Sequence, residues 1–538
     1  MKDWTPRIVV LALFLGTLAF PLLWAGQRDD AVREDAVRLV IVTPHNEQIR
    51  YEFEQAFSAW HHKQFGRPVD IDWRTIGGTS DIIRTLTSQY TAKAKAGMED
   101  DGIGFDMMFG GGTYDFHYKL KPGVEVPVLD DAGKPVRGDD GKFKMRRVSI
   151  SQPIDREQIG EPLLQAAFPE PDIAGEMLYD PDGHWWGVVL SSFGIVYNRD
   201  ILGYLGLDEP QTWDDLADPR YFGWVALGDP SHSGSVKVTY NAILQRYGFE
   251  RGVATLRRVF ANARYFTSSS SKVPLDVSAG EAAAGMCIDF YGRYQSQMIQ
   301  QGKLVGFVAP SGATLVSADP IAVLRGAPNR EIAVRFIRYL LTEQGQALWN
   351  FAQGDPWGPE KFELRRAPIR PDIYAKYSDR LVDPVDPFTI AKPVPPGAND
   401  YFSTIPVLLH SMCMDIHDDL KAAWLAINET DDQALGAKMV AEFDKLPTVD
   451  AVSLWQQFSA LDEGKQKYVR RKIGPSVDLL ESIATNDTGE AAVLPFEHGL
   501  LLSYRIRWSN DHRTEIEDRL AWTAFFRAQY RKVADMAE

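Results

Sequence analysis

The sequence predicts an α/β fold in more than one domain, followed by a mainly helical tail, and three observations predict it. The 538 residues exceed what one compact core holds. Between residues 37 and 109 short apolar strands alternate with helical spacings, the pattern of a parallel sheet with covering helices. Beyond about Tyr377 strand patterns fade and helical stripes take over. A hydrophobic content of 45% excludes a disordered chain. A net charge of -15, with no long Lys/Arg run, excludes nucleic acid as the main partner. Cys287 and Cys413 are the two cysteines, too few for a disulfide scaffold or a thiolate metal site. Two separately buried thiols are expected.

Lys2 and Arg7 precede Ile8–Trp24, an uncharged apolar run that has the form of an export signal. Cleavage after Ala25 and retention as an N-terminal membrane anchor both fit its length. No Cys follows, so a lipoprotein anchor is excluded. Either way the residues from about Gln27 are expected outside the cytoplasmic membrane.

After a polar linker, Val37–Val42 reads as a strand, and Ile49, Phe53, Phe57 and Trp60 trace a helix. Val69, Ile71 and Trp73 alternate as a strand. Ile82, Ile83, Leu86 and Tyr90 mark the next helix, and Asp106–Phe109 a third strand. Residues 121–184 are rich in Pro, Gly and Asp, with a hairpin turn at Asp182-Gly183. Val188–Tyr197 is apolar and extended. A helix opens within Gly228–Leu244 and stops at Gly248. Another runs near Val253–Asn262. Glu281–Tyr291 leads into a strand, Val305–Pro310 and Asp319–Leu324 are extended, and Ile332, Phe336, Tyr339 and Leu340 mark a helix. Pro406–Ile427 and Glu515–Ala537 are the clearest helices of the tail.

Three turns share one design, in which a strand ends, small residues follow and a helix begins: GGTS at 77–80, GGGT at 110–113 and SHSGS at 231–235. Small residues let a ligand approach the backbone. First-turn N–H groups lack helical acceptors, and the helix dipole adds about 0.3–1 kcal/mol for a negative charge there. Gly78, Thr79, Ser80, Gly111, Gly112, Thr113, Ser231, Ser233, Gly234 and Ser235 are therefore candidate anion-binding residues. Ordinary capping explains any one such turn. Three of them at the carboxyl ends of strands point to a site. His45, Asp289 and Tyr291 are further candidates for a sugar, a phosphate ester or a hard metal. With Glu47 they form a candidate ferric set. Local hydrogen bonding by His45 and core packing by Tyr291 are the competing structural roles.

Enzyme signatures are missing: no G-x-S-x-G elbow, Walker A loop, H-E-x-x-H or G-x-G-x-x-G after a strand occurs. The chain does resemble the periplasmic solute-binding proteins of ABC importers, in their iron(III)-type branch. The resemblance rests on VIVTPHNEQIRYEFEQAF, FDMMFGGGTYDF, FGIVYNRDIL with TWDDLADPRYFGWVALGDPSHSGS, GEAAAGMCIDFYGRY, and AVRFIRYLLTEQGQALW with LRRAPIRPDIY. It covers roughly residues 37–376. It implies the type 2, two-lobed periplasmic-binding-protein fold with hinge strands, plus a mainly helical C-terminal extension. Residues 1–36 would be signal or anchor with linker. Residues 37–187 and 311–376 would form lobe 1, and 188–310 the hinge strands and lobe 2. Residues 377–538 would be the extension.

The resemblance also implies capture of a small solute in the interlobe cleft and delivery to an ABC permease, without enzymatic activity or resident cofactor. In the iron-binding members two consecutive tyrosines hold the ferric ion. The matching positions are Phe290 and Tyr291, and phenylalanine cannot ligate. An anionic, phosphate-bearing solute is thus expected, with Arg293 or Lys272 as possible charge partners. Ferric iron is the alternative within the family. Two rivals of other classes are a membrane-tethered enzyme acting on phosphate esters through His45 and Asp289, and a tethered interaction protein. The latter would use the Trp455, Phe458, Trp508, Trp522, Phe525 and Phe526 faces of the tail, which otherwise pack as a helical cap.

Overall fold

The computed structural model describes residues 36–130, 132–299, 303–485, 492–509 and 511–537. The apolar run predicted as export signal or anchor lies outside them. Among the described residues no helix is long and apolar enough to cross a membrane.

Two mixed sheets organise the first part of the chain. Strands β1 (Val37–Val42), β2 (Val69–Arg74) and β3 (Met107–Phe109) are joined by helices α1 (Glu47–Phe65) and α2 (Thr79–Lys95). Strand β1 pairs in parallel with both β2 and β3, as the alternating pattern predicts. Residues 121–184, weakly patterned in sequence, supply small hairpins such as Val124–Pro127 with Met145–Val148. The chain then runs through β4 (Trp186–Ser191) directly into β5 (Phe193–Asn198). All twelve of these strand residues are buried, so the apolar run is a pair of central strands in two different sheets.

The second sheet adds β6 (Val225–Gly228), helices α3 (Gly234–Tyr247) and α4 (Phe249–Ala261), and β7 (Ala263–Thr267). Helix α5 (Lys272–Ser278), β8 (Ala284–Ile288), α6 (Asp289–Met298) and β9 (Val305–Val308) complete it. The chain returns to the first sheet at β10 (Ser317–Val323), followed by α7 (Arg330–Leu341) and β11 (Ala367–Pro368). The strand orders are β11-β4-β10-β3-β1-β2 and β7-β6-β8-β5-β9. The sheets are not wholly parallel, because the crossing strands enter against the local direction. Strand β10 is antiparallel to β3 and β4, and β5 is antiparallel to β8 and β9. The chain therefore passes between lobes at Ser192 and again within 309–316.

It crosses a third time further on. Phe388, Ile390 and Ala391 pack on the first lobe's core. Just beyond, Arg246 donates to the carbonyls of Lys392 and Pro393, Gln245 to that of Asn399, and Asn241 to the carboxylate of Asp400. From Tyr401 on, the chain is embedded in the second lobe. The predicted helix Pro406–Ile427 is interrupted: Ile405–Leu409 gives way to a π-turn at His410–Met414 before α8 (His417–Glu429). The chain ends in α9 (Glu463–Thr485), α10 (Phe496–Ser503) and α11 (His512–Asp535). One continuous core joins Ile195, Leu227, Tyr240 and Phe260 of the second sheet and its helices to Phe458, Phe496, Phe526 and Tyr530 of the tail. Of the tail aromatics, Trp508 and Trp522 are buried, Trp455 packs partly against that core, and Phe525 remains exposed. Cys287 and Cys413 are free and buried.

Candidate functional site

A cleft of about 560 Å³ lies between the lobes, where the carboxyl ends of strands from both sheets face each other. It collects three segments that lie far apart in sequence. The first lobe contributes Gly77, Gly78 and Thr79 at the start of α2, together with Gly111 and Gly112. The second contributes Ser233, Gly234 and Ser235 at the start of α3. The lobes nearly touch across it: a Cβ added to Gly78 would lie 3.3 Å from the carbonyl oxygen of His232.

These turns differ in what they offer. Gly78 caps α2 without a side-chain hydrogen bond, so first-turn N–H groups lack a side-chain acceptor. Ser233 is the N-cap of α3, accepting from the Val236 N–H at 3.4 Å, and its hydroxyl lies 3.1 Å from that of Ser235. The GGGT turn opens only a three-residue helix, Thr113–Asp115, that widens at once into a π-turn, so it adds little dipole. Its glycines have a steric role instead. Gly110 and Gly111 have φ of 94° and 130°, and a Cβ on Gly110 would fall 2.5 Å from the His45 ring.

At the base of the cleft His45, Asp319 and Arg366 form a buried cluster. Arg366 is fully buried and donates to Ser191 Oγ at 2.6 Å, and its Nη2 lies 2.6 Å from Asp319 Oδ2. Asp319 also receives the Gly111 N–H at 2.8 Å and lies 3.0 Å from His45 Nε2. Burial alone would raise the Asp319 carboxyl. The positive charge of Arg366 and the His45 contact outweigh it and hold the carboxyl down at about 2. Burial lowers the His45 imidazole, against the pull of Asp319. The cluster therefore presents one buried cation already matched by a carboxylate, beside a neutral imidazole.

The Phe290 ring lies 4.3 Å from the Arg366 guanidinium and 4.2 Å from the Tyr291 ring. Both aromatics line the cleft with Phe193, Val238 and Ile288. Burial pushes the Tyr291 phenol up to about 12, so it is a hydrogen-bond donor near neutrality.

Of the residues picked out in sequence, His45, Gly78, Thr79, Gly111, Gly112, Ser233, Gly234, Ser235 and Tyr291 line the cleft. Ser80, Thr113, Ser231 and Asp289 do not. Ser231 turns away to His410 of the tail, at 3.0 Å. Asp289 is a hinge strap: its carboxylate accepts from Ser192 N and Oγ and from Phe290 N. Glu47 is exposed in the first turn of α1. Among the described residues no three His, Cys, Asp or Glu side chains converge as a metal group. Arg293 and Lys272 are paired with Asp383 and Asp276 and do not line the cleft.

Sequence reasoning missed a fourth wall, Ser268–Ser271, which faces Ser235 across a 3.4 Å hydroxyl contact to Ser270. Its signal was present: TSSSSK also stands between a strand and a helix. Asp319 and Arg366 carried no local signal, because their partners lie 274 and 321 positions away at His45.

Residues 150–368 match the bacterial extracellular solute-binding protein family. That match agrees, over this stretch, with the resemblance seen in the sequence. The chain is also similar to parts of curated proteins. One is the phosphoglycerate transport regulatory protein PgtC of Salmonella typhimurium, 31% identical over 30% of this chain and 39% of that one. Iron uptake protein A1 of Synechocystis is 28% identical over 37% of this chain and 53% of that one. The chain thus spans about two-fifths to half the length of these relatives. Among solved structures, the periplasmic binding protein AfuA of Actinobacillus pleuropneumoniae is 18% identical, covering 62% of this chain and 85% of that one at a TM-score of 0.43. Iron-bound HitA of Pseudomonas aeruginosa is 18% identical, covering 67% and 93% at 0.43. The extension beyond residue 368 lies outside the solute-binding family match.

Proposed function

We propose that the chain is an extracytoplasmic receptor that captures a small phosphate-bearing solute between its lobes and delivers it to an ABC permease. The observation that carries this reading is the cleft wall: two helix starts and a run of serine hydroxyls converge from both lobes, while the buried Arg366 is already matched by Asp319. Such a wall neutralises a phosphate with many N–H and O–H donors rather than with a free cation. The aromatic and apolar side of the same cleft suits the carbon skeleton of the solute. PgtC, the relative above, is named for phosphoglycerate transport, which agrees with this chemistry.

Native mass spectrometry and elemental analysis of the gently purified chain test the reading, followed by calorimetry with 3-phosphoglycerate, fructose 6-phosphate and ferric citrate. A phosphorus-bearing mass, or saturable binding of a phosphate ester without turnover, is expected. One equivalent of iron would replace this reading with ferric capture. Loss of substrate over time would replace it with an enzyme.

A further inference from the structure

We propose that His410, carried by the C-terminal extension, is a positioning residue for the solute-binding turn at Ser233–Ser235. The inference rests on the proposed role of that turn in holding an anion.

The observation is a hydrogen-bond path from the last helix to the cleft. Arg519 of α11 clasps Asp415 at 2.6–2.8 Å and reaches His410 Nδ1 at 3.2 Å. His410 Nδ1 lies 3.0 Å from Asp415 Oδ1. On its other side Nε2 lies 3.0 Å from Ser231 Oγ and 3.3 Å from Asp229 Oδ1. Asp229 is the hub of the turn. Its carboxylate accepts the Ser231 N–H at 2.7 Å, and its carbonyl accepts the N–H groups of His232 and Ser233. From Ser233 the contacts continue to Ser235 and on to Ser270 in the adjoining wall of the same lobe.

Two features make this path more than a surface contact. His410 opens the π-turn that interrupts the predicted helix, and Tyr530 of α11 holds that turn through the Met412 carbonyl at 2.9 Å. The imidazole therefore sits on a turn held by α11 on one side and packed into the core shared with the second lobe on the other, where Arg257 of α4 reaches Met412 Sδ at 3.6 Å. The segment it grips, Asp229–Ser233, contains no regular strand or helix of its own. A loop that must present two hydroxyls and a helix start in fixed register is held from outside, by a residue 179 and 181 positions away from its two partners.

The titrating neighbours are defined. Asp229 faces His410 from the turn, Asp415 from the extension and Arg519 from α11, with His232 3.8 Å from Asp229 on the far side. A protonated imidazole donates to both carboxylates at once. A neutral one donates to a single partner, so the grip loosens as pH rises.

The test compares wild type, His410→Ala, His410→Gln and Ser233→Ala/Ser235→Ala. Affinity for 3-phosphoglycerate and fructose 6-phosphate is measured from pH 5.5 to 8.5, with amide exchange across residues 229–236 in the unliganded proteins. Expected results are a roughly ten-fold loss of affinity and at least ten-fold faster exchange in His410→Ala, each mostly restored in His410→Gln. Wild-type affinity should fall with rising pH relative to the flatter His410→Gln profile. Exchange and affinity both unchanged in His410→Ala, with binding lost in Ser233→Ala/Ser235→Ala, overturn the positioning role and leave the site intact. Binding unchanged in the serine variant overturns the site itself. The exchange measurement does not depend on which solute binds, so unchanged exchange in His410→Ala counts against the proposal even if neither probe binds.

Discussion

Arg366 concentrates the consequences that belong to single residues. It is buried against Asp319, and removing one partner of such a pair leaves an uncompensated charge, at a cost of about 3–5 kcal/mol. Arg366→Met is therefore expected to lower the thermal midpoint sharply, and adding Asp319→Asn to recover part of the loss. The Asp319 carboxyl is held at about 2, below its unfolded value near 4. The stability it contributes is present above about pH 4 and is lost as pH falls through about 2. His45 is also lowered, so its contribution is present above the unfolded histidine value of about 6.5 and declines below it. Urea midpoints measured from pH 7 down to pH 2 should show both declines, and Arg366→Met should flatten the acid one. Phe290→Tyr would place two consecutive tyrosines at 290 and 291, the pair expected of an iron-binding site from the family resemblance. It is expected to give no ferric absorbance band, because the ring lies on the Arg366 charge. Appearance of that band on titration with ferric citrate would refute this. At this scale the sequence was legible where the cleft is lined by contiguous small residues, such as Ser233-Gly234-Ser235. It was silent where the cleft base is built from contacts like His45 with Asp319, which exist only after folding.

Helices and strands were readable where their burial is one-sided. The spacing of Ile49, Phe53 and Phe57 identified α1 because one face meets the sheet. The run Val188–Tyr197 read as extended, but its passage from one sheet into another at Ser192 has no sequence periodicity to mark it. The break at His410–Met414 was likewise hidden, since a π-turn keeps an apolar pattern close to helical. In α11 the two faces differ in consequence. Phe526 is fully buried in the shared core, and Phe526→Ala is expected to cost about 3–5 kcal/mol. Leu520 on the same helix is 65% exposed, and Leu520→Ala should change stability by less than about 0.5 kcal/mol. Chemical denaturation of the two variants checks the contrast.

Across the whole molecule, the lobes are joined by three chain crossings rather than two. The third runs through the proline-rich stretch 392–400, and the extension it introduces shares a core with the second lobe. Tyr114 of the first lobe also meets the extension, by a 2.7 Å hydrogen bond to Ser403 and ring contact with Phe402 at 4.2 Å. Cutting an inserted protease site within 393–398 is expected to leave one particle on native sizing, because the core contacts remain. The radius of gyration of the unliganded form should rise as the hinge opens further. Dissociation of the extension after cutting would contradict the shared core. The order of strands and turns made an α/β sheet protein legible and the family resemblance implied two lobes, whereas the fusion of tail and second lobe was not legible, because amphipathic stripes do not name the surface they cover.

That fusion also sets an order of assembly. The second lobe's core is built from residues as far apart as Ile195 and Val533. During synthesis from the amino terminus, its strands emerge long before the tail residues that complete this core. The apolar faces of α3 and α4 then stay uncovered until residues 405–429 arrive to pack on them, and α11 closes over that layer afterwards. A nascent chain of this protein thus carries a half-finished lobe through most of its biogenesis.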